Sequence, residues 1–430
     1  MRVKFNKKFA LVLLVATINS TVAININADE LEIYREKKLD EAIEFNSENY
    51  KSIATVDSNI TLEERSKFQI VEQSKNLAHS GIEGSNFSGS KYSVTPQIVA
   101  PYISGELTDE YLNDGLNAIN MVRYIAGLPA DIELNSDYTN YAQHGAVLLA
   151  ALNTLTHYPD KPTDMNEDFY NLAYTGTRKS NIAAGWGYNG NLSIAKTIML
   201  YMDDSDKSNI GTLGHRRWLL NPDMKYTGLG YASNDIRGEF SACYAHDKSR
   251  EEYINFDYIT WPAINNHPIE YFDSDQAWSI SLNTYKYQRP NIEDIEVVLT
   301  RVWDNRVWTF SQNSSDGYFN VNNGGYGISN AIIFRPYSMS YLDGWEFKVE
   351  INGIKDYSGN ECTITYNTEF FYINRNKDLN YDDKIDIEDL ALCAVSYNKS
   401  SGQDNYNDEA DFNRDEFIDL FDLVEIGKLL

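Results

Sequence analysis

The chain has 430 residues, 42% of them hydrophobic, with 31 tyrosines and a formal net charge of −26. That length exceeds one ordinary domain and supports two or three. The charge argues against nucleic acid or an anionic membrane as partner and suits a solvated extracellular surface with carboxylates free to meet cations.

The N-terminus carries Arg2, Lys4, Lys7 and Lys8 before the short apolar core "FALVLLVATI", with Ala23 or Ala28 as a small-residue cleavage point. This is the composition of a secretory signal peptide over 1–28, too short for a membrane span. No second apolar stretch approaches membrane length, so the expected location is secreted, extracellular or in a cell-surface assembly. Cys243, Cys362 and Cys393 stand at no metal-binding spacing; at most one disulfide is possible, and buried free thiols are expected.

Residues 29–105 are a polar leader with a surface helix over "DELEIYREKKLDEAIEF" and a Gly/Ser linker at "HSGIEGSNFSGSKYS". From 106 the spacing of Leu112, Leu116, Ile119, Val122 and Ile125 predicts a helix capped by Thr108 and ended by Gly127 and Pro129. A second helix over roughly 137–155 must stop before Pro159, which leaves His157 on the turn beyond it. A third runs over roughly 193–204, and a fourth begins in "LGHRRWLLNP". Two strands, "YTGLGYA" and "GEFSACYA", complete a compact helix-and-sheet segment over 106–247.

Residues 253–373 change to strand patterning: "AWSISL", "IEVVLTRV", "RVWTFSQ", "GYFNV", "WEFKVEI" and "TITYNTEFFYI", separated by turns such as Asn352-Gly353. Their number and length suggest an all-β sandwich of immunoglobulin-like proportions.

The tail repeats itself. "DLNYDDKIDIED" and "DFNRDEFIDLFD" align without gaps from Asp378 and Asp411. Oxygen-bearing side chains fall at positions 1, 3, 5, 9 and 12 of each loop: Asp378, Asn380, Asp382, Asp386, Asp389 and Asp411, Asn413, Asp415, Asp419, Asp422. The carbonyls of Lys384 and Phe417 supply position 7. This spacing wraps a twelve-residue loop around Ca²⁺, which takes six to eight oxygens. Ile385 and Ile418 occupy position 8, where paired loops need an apolar contact. Position 6, usually glycine, is Asp383 in one loop and Glu416 in the other; a side chain in a left-handed turn weakens the second site.

The paired loops and the helices after them resemble a dockerin, the small all-α, EF-hand-like module that docks secreted bacterial enzymes onto cohesin domains of a scaffold. The resemblance covers 378–430. It implies two bound Ca²⁺, a cohesin partner in a cellulosome-like assembly, and recognition through Ile387 and Glu388 in one copy and Leu420 and Phe421 in the other.

"LTHYP", "SNIAAGWG", "IMLYMDD" and "LGHRRWLLNP", in that order, resemble the CAP domain of cysteine-rich secretory and pathogenesis-related proteins. The resemblance covers 106–247 and implies an α/β/α sandwich with a cleft of two histidines and two acids that can bind zinc. Carried over by position, His157 and His215 are the cleft histidines and Asp204 one acid. Ser180 stands where the other acid belongs, which leaves three zinc ligands and removes the most obvious general base. The implied ligand is a small molecule, lipid, peptide or glycan. A bland alternative has His215 opening a helix while Arg216 and Arg217 pair surface acids such as Asp203. His144 suits half-buried packing, and the pattern gives His79, His246 and His267 no partners. No Gly-x-Ser-x-Gly elbow, His-Glu-x-x-His pair or phosphate loop is present, nor a recognisable pair of glycosidase acids. The expectation is a multidomain α+β protein whose cleft is a binding module, or alternatively a metal-assisted, peptidase-like hydrolase.

Overall fold

The computed structural model describes residues 59–186, 192–234, 238–382 and 384–430. The signal peptide, the helix expected over 29–45 and Asp383 lie outside the described residues. What is described divides into two compact units, Asn59–Ile373 and Asn374–Leu430. No described helix is long and apolar enough to cross a membrane.

The larger unit opens with strand β1 (Asn59–Thr61) and helix α1 (Lys67–Asn76), whose Ser66 and Gln69 form a capping box. Strands β2 (Tyr92–Val94) and β3 (Glu106–Leu107) follow. The stretch 79–93, expected as a linker, packs instead. The backbone N–H and hydroxyl of Ser80 donate to the buried Asp114 carboxylate at 2.7 and 2.6 Å. Lys91 donates to Tyr231 Oη at 2.7 Å. A buried carboxylate needs such donors, and the short polar residues of this stretch supply them.

Helix α2 (Asp109–Ile125) starts where expected, with Thr108 accepting from the Tyr111 N–H. Strand β4 (Glu133–Leu134) leads into α3 (Ser136–Leu152), capped by Asn135. Helix α4 (Glu167–Lys179), absent from the sequence reading, runs directly into strand β5 (Ser180–Trp186). Helices α5 (Ile194–Asp203) and α6 (Gly214–Leu219) and strands β6 (Tyr226–Thr227), β7 (Leu229–Ser233) and β8 (Gly238–Tyr244) follow.

The antiparallel sheet β5-β8-β7 is the middle layer. Strand alternation sends Phe240 and Ala242 to one face, into a core with Val147 and Leu148 of α3 and Phe169 of α4. Leu229, Tyr231 and Cys243 go to the other face, with Ile119 and Val122 of α2 and Ile194 and Ile198 of α5. Helices α3 and α4 approach closely because both carry glycine at the contact: a Cβ on Gly176 would lie 1.9 Å from Tyr141 O.

Strand β9 (Tyr253–Asn255) pairs in parallel with β1. Then come β10 (Tyr258–Trp261), β11 (Asn265–Pro268), β12 (Trp278–Leu282), β13 (Glu296–Arg301), β14 (Arg306–Ser311), β15 (Gly317–Asn322), β16 (Ala331–Pro336), β17 (Trp345–Lys355) and β18 (Glu361–Phe371). They form two sheets, β10-β12-β16-β15 and β11-β18-β17-β13-β14. Trp278 of the first meets Phe347 and Phe370 of the second at 5.8 and 5.9 Å, so the sheets stack face to face. The second is not purely antiparallel, since β11 runs parallel to β18. The sequence reading missed β10, β11 and β16. In β16 five of six residues are buried, which erases the alternation that marks a strand.

Helices and sandwich are bolted together by the two arginines of "LGHRRWLLNP". The sequence alone offers them as partners of surface acids such as Asp203. The structure instead buries Arg216 fully and leaves Arg217 1% exposed. Arg216 donates to Met202 O at 2.5 Å and Asp203 O at 2.8 Å on α5, and to Ala277 O at 2.6 Å and Ser279 Oγ at 3.1 Å at β12. Arg217 donates to Thr212 O at 3.0 Å, Ile328 O at 2.9 Å, Asn322 Oδ1 at 2.9 Å and Gly324 O. Burial pulls both guanidiniums down to about 10, which still leaves them charged at neutral pH.

The smaller unit has helix α7 (Ile387–Val395), a short antiparallel pair β19 (Lys399–Ser400) with β20 (Phe417–Ile418), and helix α8 (Leu420–Gly427). It is therefore not purely helical. Leu379, Leu390, Cys393, Phe412, Ile418, Leu423 and Ile426 form its core. Ile418 is buried, whereas Ile385, its counterpart, is 39% exposed. The apolar contact expected at position 8 is thus replaced by pairing of Ile418 with Lys399. All three cysteines are free, Cys243 and Cys393 buried and Cys362 partly so.

All seven tryptophans lie within 59–373, so tryptophan fluorescence follows the larger unit alone. Arg217→Ala strands several buried carbonyls and should lower its stability by about 3 kcal/mol or more, read from denaturant unfolding. Arg217→Lys should not restore it, because an ammonium cannot span the same fork of acceptors.

Candidate functional site

The cleft residues come from four places that the fold brings together. His157 lies in the turn after α3, where Pro159 was expected to leave it. Its Nδ1 is 2.7 Å from Thr177 O, near the end of α4. A carbonyl only accepts, so Nδ1 carries the proton and the neutral ring presents a lone pair at Nε2. Burial lowers the His157 pKa, the Thr177 carbonyl opposes this, and His215 adds a further lowering.

His215 is the second residue of α6. Its Nδ1 is 2.7 Å from Asp204 Oδ1, and its backbone N–H donates to Asp204 Oδ2 at 2.9 Å. Asp204 ends α5 in a left-handed conformation, φ 49°, and is 3% exposed. Burial raises its pKa while His215 draws it back. Both Asp204 oxygens are thus engaged with His215, and the carboxylate orients the ring. The His215 carbonyl accepts from Asn181 Nδ2 at 3.0 Å, and the ring lies against Tyr201, centroids 5.3 Å apart.

Ser180 opens β5. Its hydroxyl is buried and has no hydrogen-bond partner among the described residues. Lys179, just before it, accepts at its carbonyl from the Ala245 and His246 N–H groups. His246 stacks on Trp218 with centroids 4.2 Å apart, and Trp218 lies one helical turn beyond His215. Sequence reasoning missed Trp218, Thr177, Asn181 and Tyr201; the helical spacing of His215 and Trp218 is the one signal that points to any of them. His79, His246 and His267 do have partners: Tyr271, Trp218 and the Ala263 N–H respectively. His144 packs against Phe169 and, at 8% exposed, is more deeply buried than the half-buried position expected of it.

Zinc is a poor fit to this donor set. Two imidazole Nε2 atoms are available, but Asp204 is engaged and Ser180 is no carboxylate. Among the described residues no three of His, Cys, Asp and Glu group as metal ligands. Two surface cavities, of about 300 and 330 Å³, lie elsewhere, and neither is lined by a histidine.

In the tail the two loops share one hydrogen-bond pattern. Asp378 and Asp411 accept from the N–H four residues on, both at 3.2 Å. Asn380 and Asn413 accept from the N–H two residues on, at 3.0 and 3.1 Å. Asp382 and Asp415 accept from the Lys384 and Phe417 N–H at 3.0 and 2.9 Å. Asp389 and Asp422 reach back to the Leu379 and Phe412 N–H at 2.7 and 2.8 Å, and accept from Asp386 and Asp419 N–H at 2.8 Å each. Burial and the Asp411 and Asp415 carboxylates push the Asp422 carboxyl up to about 7. The absence of a metal-ligand group among the described residues extends to these loops; a Ca²⁺ ion, were one bound, would be held by the side chains at positions 1, 3, 5 and 12. Glu416 takes the left-handed conformation, φ 65°, as expected of position 6. Beside the loops, Ile387 and Phe421 are 48% and 42% exposed, Glu388 is exposed and Leu420 half-buried. Leu392 and Val395 extend the exposed apolar strip along α7.

Residues 116–244 match the family model described as the cysteine-rich secretory protein family, CAP. This segment is a CAP domain. It contains His157, Ser180, Asp204 and His215, so the four cleft candidates fall within the matched region. A solved structure of a C-terminal interface mutant of a type II cohesin-X-dockerin complex from Acetivibrio cellulolyticus is 15% identical, covering 34% of this chain and 86% of that one, with a TM-score of 0.12. At that score the likeness carries no argument. No curated protein matches the chain.

Asp204→Asn should release the His215 ring. In nitrogen-correlated NMR of the histidine rings, the wild-type protein is expected to show His215 protonated at Nδ1, and the variant a mixture of both tautomers.

Proposed function

We propose that this is a secreted CAP-domain protein that docks through a Ca²⁺-dependent C-terminal dockerin onto a cohesin scaffold, its CAP cleft acting as a binding module for a small molecule, lipid, peptide or glycan. The observation that carries the docking half is the shared hydrogen-bond pattern of the two twelve-residue loops. The exposed strip of Ile387, Leu392 and Val395 beside the first loop supports it, because a folded module leaves such a strip uncovered where a partner is to cover it. The binding-module half rests on the engaged Asp204 and on Ser180 in place of an acid.

A second reading, metal-assisted hydrolysis, draws support from the His215–Asp204 pair, which orients an imidazole with a free Nε2 as a general base is oriented. Its zinc form falls one protein ligand short of a three-ligand site. Zinc content well below one equivalent per chain in purified protein removes that form.

Calorimetric titration should give two Ca²⁺ per chain, with the Glu416-containing loop the weaker site. Asp389→Ala and Asp422→Ala should each weaken one site at least tenfold. Chelator should abolish capture by a cohesin of the same organism while tryptophan fluorescence stays unchanged. Capture that survives chelation, or no capture by any cohesin, overturns the docking reading.

A further inference from the structure

The chain as a whole is strongly acidic, yet the surface beside His157 and His215 gathers cations. His157 is tied to Thr177 O, which places it beside the C-terminal end of α4, where Arg178 and Lys179 follow. Lys179 O accepts from the N–H of His246, so the 246–248 segment lies beside the same helix end. His246 stacks on Trp218, and Lys248 Nζ lies 5.9 Å from the Trp218 ring centroid. Trp218 returns the circuit to His215 along α6. Arg178 sits 5.5 Å from the Tyr158 ring and 5.7 Å from the Tyr174 ring. Three imidazoles and three permanent cations therefore form one ring of neighbours, with aromatic faces between them. Arg178, Lys179, His246 and Lys248 are all exposed.

Three acids close to this ring are already engaged, whereas Asp160, two residues after Tyr158, is exposed. Asp204 holds His215. Asp206 accepts from Ser208 and Asn209. Asp247, 2% exposed, accepts from the Lys225 and Tyr226 N–H at 2.8 and 2.9 Å and from Tyr138 Oη at 3.2 Å. A cluster of exposed cations most of whose nearby carboxylates are otherwise occupied attracts an anion from outside.

Building on the reading of the cleft as a binding module, we propose that its ligand is anionic, with a carboxylate or phosphate group held on this surface by Arg178, Lys179, Lys248 and His246. Trp218, Tyr158 and Tyr174 offer rings to the body of that ligand. Arginine beside tyrosine and lysine beside tryptophan leave each cation poised over an aromatic face and free to meet a charged group.

The sandwich helps to build this surface. Gly327, at φ +76°, lies against Trp218 and Arg217 O, where an added Cβ would come within 3.0 Å of both. The orientation of Trp218, and through it of His246, thus depends on the loop between β15 and β16.

The test uses the intact chain with Ca²⁺ present and follows its six histidine rings by NMR. Acetate and methyl phosphate, titrated separately, report which anion is preferred. The expected result is a saturable movement of the His246 and His157 signals, with buried His267 and His144 unmoved. In the Lys179→Gln/Lys248→Gln double variant, whose changes lie on the surface, the midpoint should rise at least tenfold. A saturable response that is the same in the double variant overturns the proposal. A neutral amphiphile, octyl glucoside, separates the two levels of the argument. Saturable shifts with it and none with either anion overturn the anionic ligand and leave the binding module standing. No response to any of the three probes overturns both.

Discussion

A pair of adjacent buried guanidiniums sets the geometry of the larger unit. Two neighbouring positive charges out of water are tolerated only where every donor is met, and here carbonyls from α5, β12 and the loop after β15 meet them. The requirement works in both directions. The carbonyl ends of α5 and the sandwich loops find donors they would otherwise lack, and the short helix α6 is fixed between two layers. A six-residue helix has little stability of its own, so the position of His215 follows from its neighbours Arg216 and Arg217.

The cleft inherits that rigidity. Asp204 is held at the end of α5, whose Met202 and Asp203 carbonyls are gripped by Arg216, and the same carboxylate takes both the ring and the amide of His215. Asn181 and Tyr201 hold the other side. The result is an oriented imidazole beside a serine that offers neither a charge nor a metal ligand.

Much of this was legible in the sequence, and the exceptions share a physical cause. The cap at Thr108, the turn at His157, the ends of α3 and α5 and the two twelve-residue loops each depend on residues close in the chain. Helix α4 escaped because "EDFYNLAYTGTRK" is polar overall and carries glycine at the crossing with α3. Strand β16 escaped because burial on both sides removed its alternation. The fate of Arg216 and Arg217 was not readable, since nothing local distinguishes a charge facing water from one facing carbonyls more than sixty residues away. Trp218 on His246 is the same kind of contact. Gly-rich 79–93 looked like a linker because its purpose, donors for Asp114, lies on another helix.

We propose that helices and sandwich act as one folded body and that the tail is a separate one stabilised by Ca²⁺. Scanning calorimetry of the intact chain, with and without Ca²⁺, tests it most directly. One transition is expected for 59–373, seen also by tryptophan fluorescence and indifferent to Ca²⁺, and a second, fluorescence-silent transition that moves to higher temperature when Ca²⁺ is added. Separate melting of the CAP helices and the sandwich, or a tail transition that ignores Ca²⁺, would contradict it.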